Sequence, residues 1–187
     1  AHSHIALLDS DDRWHANHVA RMFDAFDRGF DVFFSDHAFI GDYPSCFTQR
    51  GFADGTEVAG DASLFAMTPQ AALAAFLRCC PGQTSTIAWR RAIAPELRFR
   101  TDLDPAEDLL FFCALVRCAR AVAYTTEVNV TRGRGVSIYT GTLDWDAPGA
   151  VKRVCNSLRM RRVVLVDGLA LDRALRARIA GVAAGLE

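Results

Sequence analysis

Apolar and polar positions fall into short blocks that alternate between strand and helix spacing. The first block, Ile5 to Leu8, is an apolar run of strand length that stops at Asp9, Asp11 and Asp12. It predicts a buried strand with carboxylates at its carboxyl end, the edge where ligands bind in open α/β sheets. From Trp14 to Phe30, Val19, Met22, Phe23 and Phe26 keep the spacing of one helix face, with His15 and His18 on the outer surface and Gly29 as the stop. Phe30 to Phe34 reads as a second buried strand, closing at Ser35, Asp36 and His37. If the two strands are parallel, Asp36 and His37 share a sheet edge with the first acidic cluster and line the same site.

Periodicity then lapses. Gly41 to Gly60 is rich in Gly, Asp, Thr and Ser and reads as a loop or short hairpin. Thr68 as N-cap and Pro69 at the first helical position open a helix over 71–80, stopped by Pro81 and Gly82. The β-branched residues of 84–91 suggest a strand, and Pro95 to Arg100 is basic. A further helix opens near Asp104, where Pro105 and Glu107 complete a capping box and leave Asp108 beside the apolar face of Leu109, Phe112, Cys113 and Val116. By spacing alone, a helix-dipole role suits Asp108 better than that of a general base. Ala121 to Val130 alternates as a strand and runs into the basic, glycine-containing turn Thr131 to Ser137. Helical spacing returns over 147–162 and 169–186, where Arg153, Arg159, Arg161 and Arg162 leave open packing on the domain, subunit pairing or contact with a membrane surface.

Three carboxylates within four residues repel one another unless a cation or hydrogen-bond donors offset the charge, and hard oxygen ligands suit Mg²⁺ or Mn²⁺. Asp and Ser are also turn and N-cap residues, so a purely local role for the cluster stays open. A calcium loop of the EF-hand type counted from Asp9 would need Gly and Glu where Trp14 and Ala20 stand. An aspartyl phosphatase would need a small residue and then Thr or Val where Asp12 and Arg13 stand. His2 and His4 alternate at strand spacing and read as a polar strand start. In the turn at 131–137, glycine lets backbone N–H groups approach phosphate oxygens while Arg132 and Arg134 supply charged donors.

Composition narrows the class. With 187 residues, 51% of them hydrophobic, the chain is long enough for one domain with a real core. A formal net charge of −1 removes the general electrostatic case for nucleic acid. The six cysteines, at 46, 79, 80, 113, 118 and 155, lack zinc-site spacing and read as reduced thiols. No apolar run approaches the roughly 20 residues of a membrane span. Together these features predict a cytoplasmic protein.

Leu7 to Trp14, Trp89-Arg90-Arg91, Glu107-Asp108 and the turn at Arg132 to Ser137 together resemble family 2 glycosyltransferases with the GT-A fold, particularly bacterial polysaccharide-assembling members. The resemblance implies an α/β, Rossmann-like GT-A fold over 1–146, truncated at its N-terminus, with a helical extension over 147–187. It implies that Asp9 and Asp11 hold a divalent cation, Mn²⁺ or Mg²⁺, against the diphosphate of a nucleotide-sugar donor, Asp11 being the more direct ligand. It makes Asp108 the catalytic base toward a saccharide or lipid-linked acceptor, with inversion at the anomeric carbon, and so reverses the preference drawn from spacing. Arg132 and Arg134 fall near the diphosphate, Arg90 and Arg91 between donor and acceptor, and Glu107 and Asp36 among the residues given to substrate. Such a protein works in the cytoplasm or at the cytoplasmic face of the membrane, with a homo-oligomer left open. Family members begin with a further base-binding segment, so the strand at 5–8 is expected to bare an apolar edge that another chain, the C-terminal helices or upstream residues would cover. Two other readings stand beside this one, a non-catalytic carbohydrate-associated or assembly module and a phosphatase-like hydrolase.

Overall fold

A computed structural model of the chain describes residues 2–103, 107–134 and 146–166. They divide into two compact units, the described residues within 1–97 and 113–135 in one and those within 98–112 and 136–187 in the other. In the first unit the elements run β1 (His4–Ala6), β2 (Arg13–Trp14), α1 (His18–Asp27), β3 (Val32–Phe39), α2 (Cys46–Arg50), β4 (Thr56–Val58), β5 (Asp61–Met67), α3 (Pro69–Cys79), β6 (Ile87–Arg90) and β7 (Val122–Arg132). A one-turn 3-10 helix at Thr84–Thr86 precedes β6. The helix α4 (Glu107–Cys118) spans the division between the units, and α5 (Ala150–Val166) belongs to the second.

Among the described residues the strands form one mixed sheet in the order β1-β6-β3-β7-β5-β4, with β2 on β7. β7 organises it. Parallel to β3 along nearly its whole length, β7 pairs on its other side with β5 at residues 122–125 and with β2 at residues 130–131. Register shifts opposite Ser35, Asp36 and His37 mark the changeover, the place where a bulge re-aims a strand. Because β2 is only two residues long and antiparallel to the end of β7, the acidic stretch before it is brought beside Gly133.

Each sheet face carries a different apolar layer. Met22, Ala25 and Phe26 of α1 pack on Phe33, Leu64, Ala88 and Ala123. On the other face Phe34, Phe47, Phe52 and Tyr124 form a ring cluster, with Phe34 stacked on Tyr124 at 5.3 Å between centroids. Asp31, fully buried at the start of β3, accepts hydrogen bonds from the backbone N–H and the guanidinium of Arg120 at 2.8–3.0 Å. Arg120 holds its carboxyl below the usual carboxylate range.

Several sequence expectations meet the structure directly. The helix expected at 71–80 is α3, capped by Thr68 Oγ1 accepting from the Ala71 N–H at 3.2 Å. The strand expected at 121–130 is β7, extended to Arg132. By contrast, only Ile5 and Ala6 of the run at 5–8 lie in a strand, the half-buried three-residue edge strand β1, whose one strand partner among the described residues is the antiparallel β6, and Leu8 is exposed. β1 and β3 do point the same way, because both are antiparallel to β6, but β6 lies between them. Within 41–60 the chain forms α2 and the first strand of the β4–β5 hairpin, elements too short for periodicity to reveal. His18 is fully buried, not on the outer surface, with its ring 4.8 Å from that of Trp14 and 6.1 Å from that of Phe33. Its helix is therefore apolar-facing one position earlier than aliphatic spacing suggests.

In the second unit, Phe99 stacks on Phe111 at 4.0 Å, and Arg159 donates to the Asp102 carbonyl at 3.3 Å. Ala150, Val154, Met160 and Val164 are buried apolar residues of α5. The helix expected at 169–186 lies outside the described residues, as do residues 135–137 of the turn expected at 131–137. No helix among the described residues is long and apolar enough to cross a membrane.

Candidate functional site

The acidic stretch is a turn. The Asp12 N–H donates to the Asp9 carbonyl at 3.2 Å, closing a four-residue turn that leaves Asp9, Ser10 and Asp11 exposed and Asp12 half-buried. The local reading of the cluster, a turn built from Asp and Ser, therefore describes its backbone. Its side chains divide the work.

Asp12 joins three segments. Its Oδ1 accepts from the Gly133 N–H at 2.9 Å, while Oδ2 accepts from Ser85 Oγ at 2.6 Å and from Gln83 Nε2 at 3.1 Å. Ser85 Oγ in turn accepts from the Asp9 N–H at 2.9 Å, and Trp14 Nε1 donates to the Ser85 carbonyl at 2.7 Å. A Cβ on Gly133 would lie 2.1 Å from the Asp11 carbonyl oxygen, so only glycine permits this approach of the two backbones. Asp9 and Asp11 are thus set at the turn tip next to the end of β7.

The chain leaving β7 carries the two arginines expected at a diphosphate. Arg132 lies over the Phe39 ring, 5.0 Å from its centroid. Arg134 donates through Nε to the Ile40 carbonyl at 2.8 Å, in space that exists because residue 41 is glycine, with φ +75°. Two exposed carboxylates and two arginines consequently share one end of β7. Beside them His37 is buried against Tyr43, Nε2 to Oη 3.2 Å, and its pKa is pushed down to about 3, first by burial and then by Arg132 and Arg50. It is a neutral ring at neutral pH.

Other sequence candidates have structural partners. Asp36 is buried, with Oδ1 accepting from the N–H groups of His37 and Phe47 at 2.7 and 3.0 Å and Oδ2 from Ser45 Oγ at 2.6 Å, so both oxygens help cap α2. Arg90 donates to the Phe30 carbonyl at 3.0 Å and to the Phe26 carbonyl, and lies 3.7 Å from Asp31, fastening the end of α1. Arg91 is exposed, its N–H donating to the Ser3 carbonyl at 2.9 Å. Glu107 and Asp108 stand in the first turn of α4, both half-buried, with Asp108 Oδ1 accepting from the Leu109 N–H at 2.7 Å. They belong to the second unit.

The donor set suits a hard cation shared with a ligand. Among the described residues no group of three or more His, Cys, Asp or Glu side chains comes together as a cation cage. Mg²⁺-like ions are commonly held by one or two carboxylates, with phosphate oxygens and water completing the shell, and the Asp9 to Asp11 tip fits that pattern. The sequence placed Asp12 in the acidic cluster and Gly133 in a phosphate-approaching turn, but it gave no role to Gln83 or Ser85 and did not bring the four together. Their meeting depends on the two-residue pairing of β2 with β7, which leaves no periodic signal.

No protein-family model matches the sequence, and no curated protein matches it. Solved structures do match the fold. A structure of S. aureus TarS 1–349 in complex with UDP-GlcNAc superposes with a TM-score of 0.58 at 13% identity, covering 95% of this chain and 46% of that one. A second S. aureus TarS structure gives a TM-score of 0.57 at 13% identity, over 96% of this chain and 27% of its own. The chain has the α/β glycosyltransferase fold, and it spans about half the length of TarS 1–349.

Proposed function

We propose that this chain is the acceptor-side and diphosphate-side portion of an inverting, metal-assisted family 2 glycosyltransferase that moves a sugar from a nucleoside-diphosphate donor to a saccharide or lipid-linked acceptor. The observation that supports the reading is the meeting of the Asp9 to Asp12 turn with the Arg132-Gly133-Arg134 segment, which brings two exposed carboxylates and two arginines to one end of β7. A nucleotide diphosphate with a divalent cation needs both. The TarS structure holding UDP-GlcNAc supports a nucleotide sugar as the ligand class.

Asp9 and Asp11 would hold the cation, which supplies charge neutralisation at the diphosphate when bound. Arg132 and Arg134 add charged donors to the phosphate oxygens. Asp108 takes the proton of the acceptor hydroxyl as that oxygen bonds to the anomeric carbon from the side opposite the leaving group. The bond from that carbon to the diphosphate oxygen breaks, and the configuration inverts.

The test is transfer from UDP-sugars in the presence of Mn²⁺, with the anomeric configuration of the product read by NMR. An inverted product lost in Asp108→Asn supports the reading. A second reading is a non-catalytic carbohydrate-associated or assembly module with the same fold. Saccharide binding without any metal-dependent nucleotide binding would select it.

A further inference from the structure

Resting on that reading, we infer that Asp12 is a positioning residue: it ties the Arg132–Arg134 segment to the acidic turn, so that carboxylates and arginines reach one diphosphate together. Three observations converge on it. Asp12 is the half-buried member of the acidic cluster, and its two oxygens take donors from two other segments, Gly133 on one side and Gln83 and Ser85 on the other. Gly133 sits between the two arginines and touches the Asp11 backbone, an approach that a Cβ would forbid. Finally, Ser85 is itself anchored by the Asp9 N–H and by Trp14, so the floor beneath the turn is continuous.

The acceptor type matters. A carboxylate accepts from all three donors at once, whereas an amide in its place would turn an NH₂ group toward at least one of them. Hydrogen bonds to a charged acceptor are also the stronger kind, and this one is half-buried. Asp12 therefore acts on the ligand through Arg132, Arg134 and Asp11, with no need to touch it.

The experiment has two arms on the full chain. In the first, amide hydrogen exchange at Gly133 is followed by NMR in the wild type and in Asp12→Ala, without ligand. The expected result is exchange faster by on the order of tenfold at Gly133, with β3 unchanged. Unchanged exchange at Gly133 overturns the inference. The second arm is a double-mutant cycle read by calorimetry with UDP and Mn²⁺. Asp12→Ala is expected to weaken binding about tenfold in the wild-type background and less than about twofold where Arg132 and Arg134 are both alanine. An equal loss in both backgrounds shows that Asp12 does not act through the arginines and overturns the inference. A wild-type chain that binds no UDP at any Mn²⁺ level overturns the proposed function, and the exchange arm still decides whether Asp12 holds the segment. Where Asp12→Ala does not fold, Ser85→Ala removes one donor to the same carboxylate and is expected to speed Gly133 exchange by roughly threefold; no change there counts against the tie.

Discussion

His18 offers a prediction whose size follows from its surroundings. The ring is fully buried between Trp14 and Phe33, and neither nitrogen has a partner among the described residues. Burial, and secondarily His15, lowers its pKa from 6.5 to about 4. The folded chain thus holds His18 neutral while the unfolded chain protonates it near 6.5. Its contribution is fully present above that pH and is lost as pH falls toward 4. At about 1.36 kcal/mol per pH unit separating the two pKa values, the full loss is about 3 kcal/mol, and at pH 4.5 about 2.5 kcal/mol of it is already gone. Replacing His18 with Phe keeps a ring in the slot and removes both the titration and an unpaired buried donor. Urea unfolding at pH 7 and pH 4.5 checks it. The stability lost between those pH values should be smaller in His18→Phe by about 2.5 kcal/mol, while the contribution of His37, also held neutral by burial, should largely cancel between the two proteins. Equal losses in wild type and variant would refute the burial argument. The site is involved too, since Trp14 links His18 to the Ser85 carbonyl beneath the acidic turn.

Three further outcomes are expected. Asp36→Ala leaves the N–H groups of His37 and Phe47 without their acceptor and should cost about 3 kcal/mol in urea unfolding; unchanged stability with a raised acceptor KM would instead make Asp36 a substrate contact. Gly133→Ala forces a Cβ onto the Asp11 carbonyl and should weaken Mn²⁺-dependent UDP binding by at least about tenfold, read by calorimetry, with the melting temperature showing how much of the loss is global. Asp108→Asn should abolish sugar transfer while leaving UDP binding within about twofold, and retained turnover would remove Asp108 from the role of base.

The acidic stretch was legible as a turn, because Asp and Ser satisfy a turn's backbone locally. The cap of α3 was equally plain, since Thr68 and Pro69 act on their own backbone. What spacing did not reveal is long-range pairing. The run at Ile5 gave no sign that β6, more than eighty residues later, pairs beside it and separates it from β3. Asp36 and Arg90 looked like ligand residues because charge at strand ends often is. In the fold the first caps α2 and the second fastens α1, needs set by contacts 11 and 60 residues away. His18 misled for a related reason, as a polar ring at the first position of a helix reads as solvent-facing until Trp14 covers it.

The proposed function stands most directly on one titration, UDP into the intact chain by calorimetry with and without Mn²⁺, repeated for Asp11→Ala. Binding that needs the metal and disappears in Asp11→Ala is the predicted result. UDP binding that is indifferent to Mn²⁺ and to Asp11, or absent under all conditions, would contradict it.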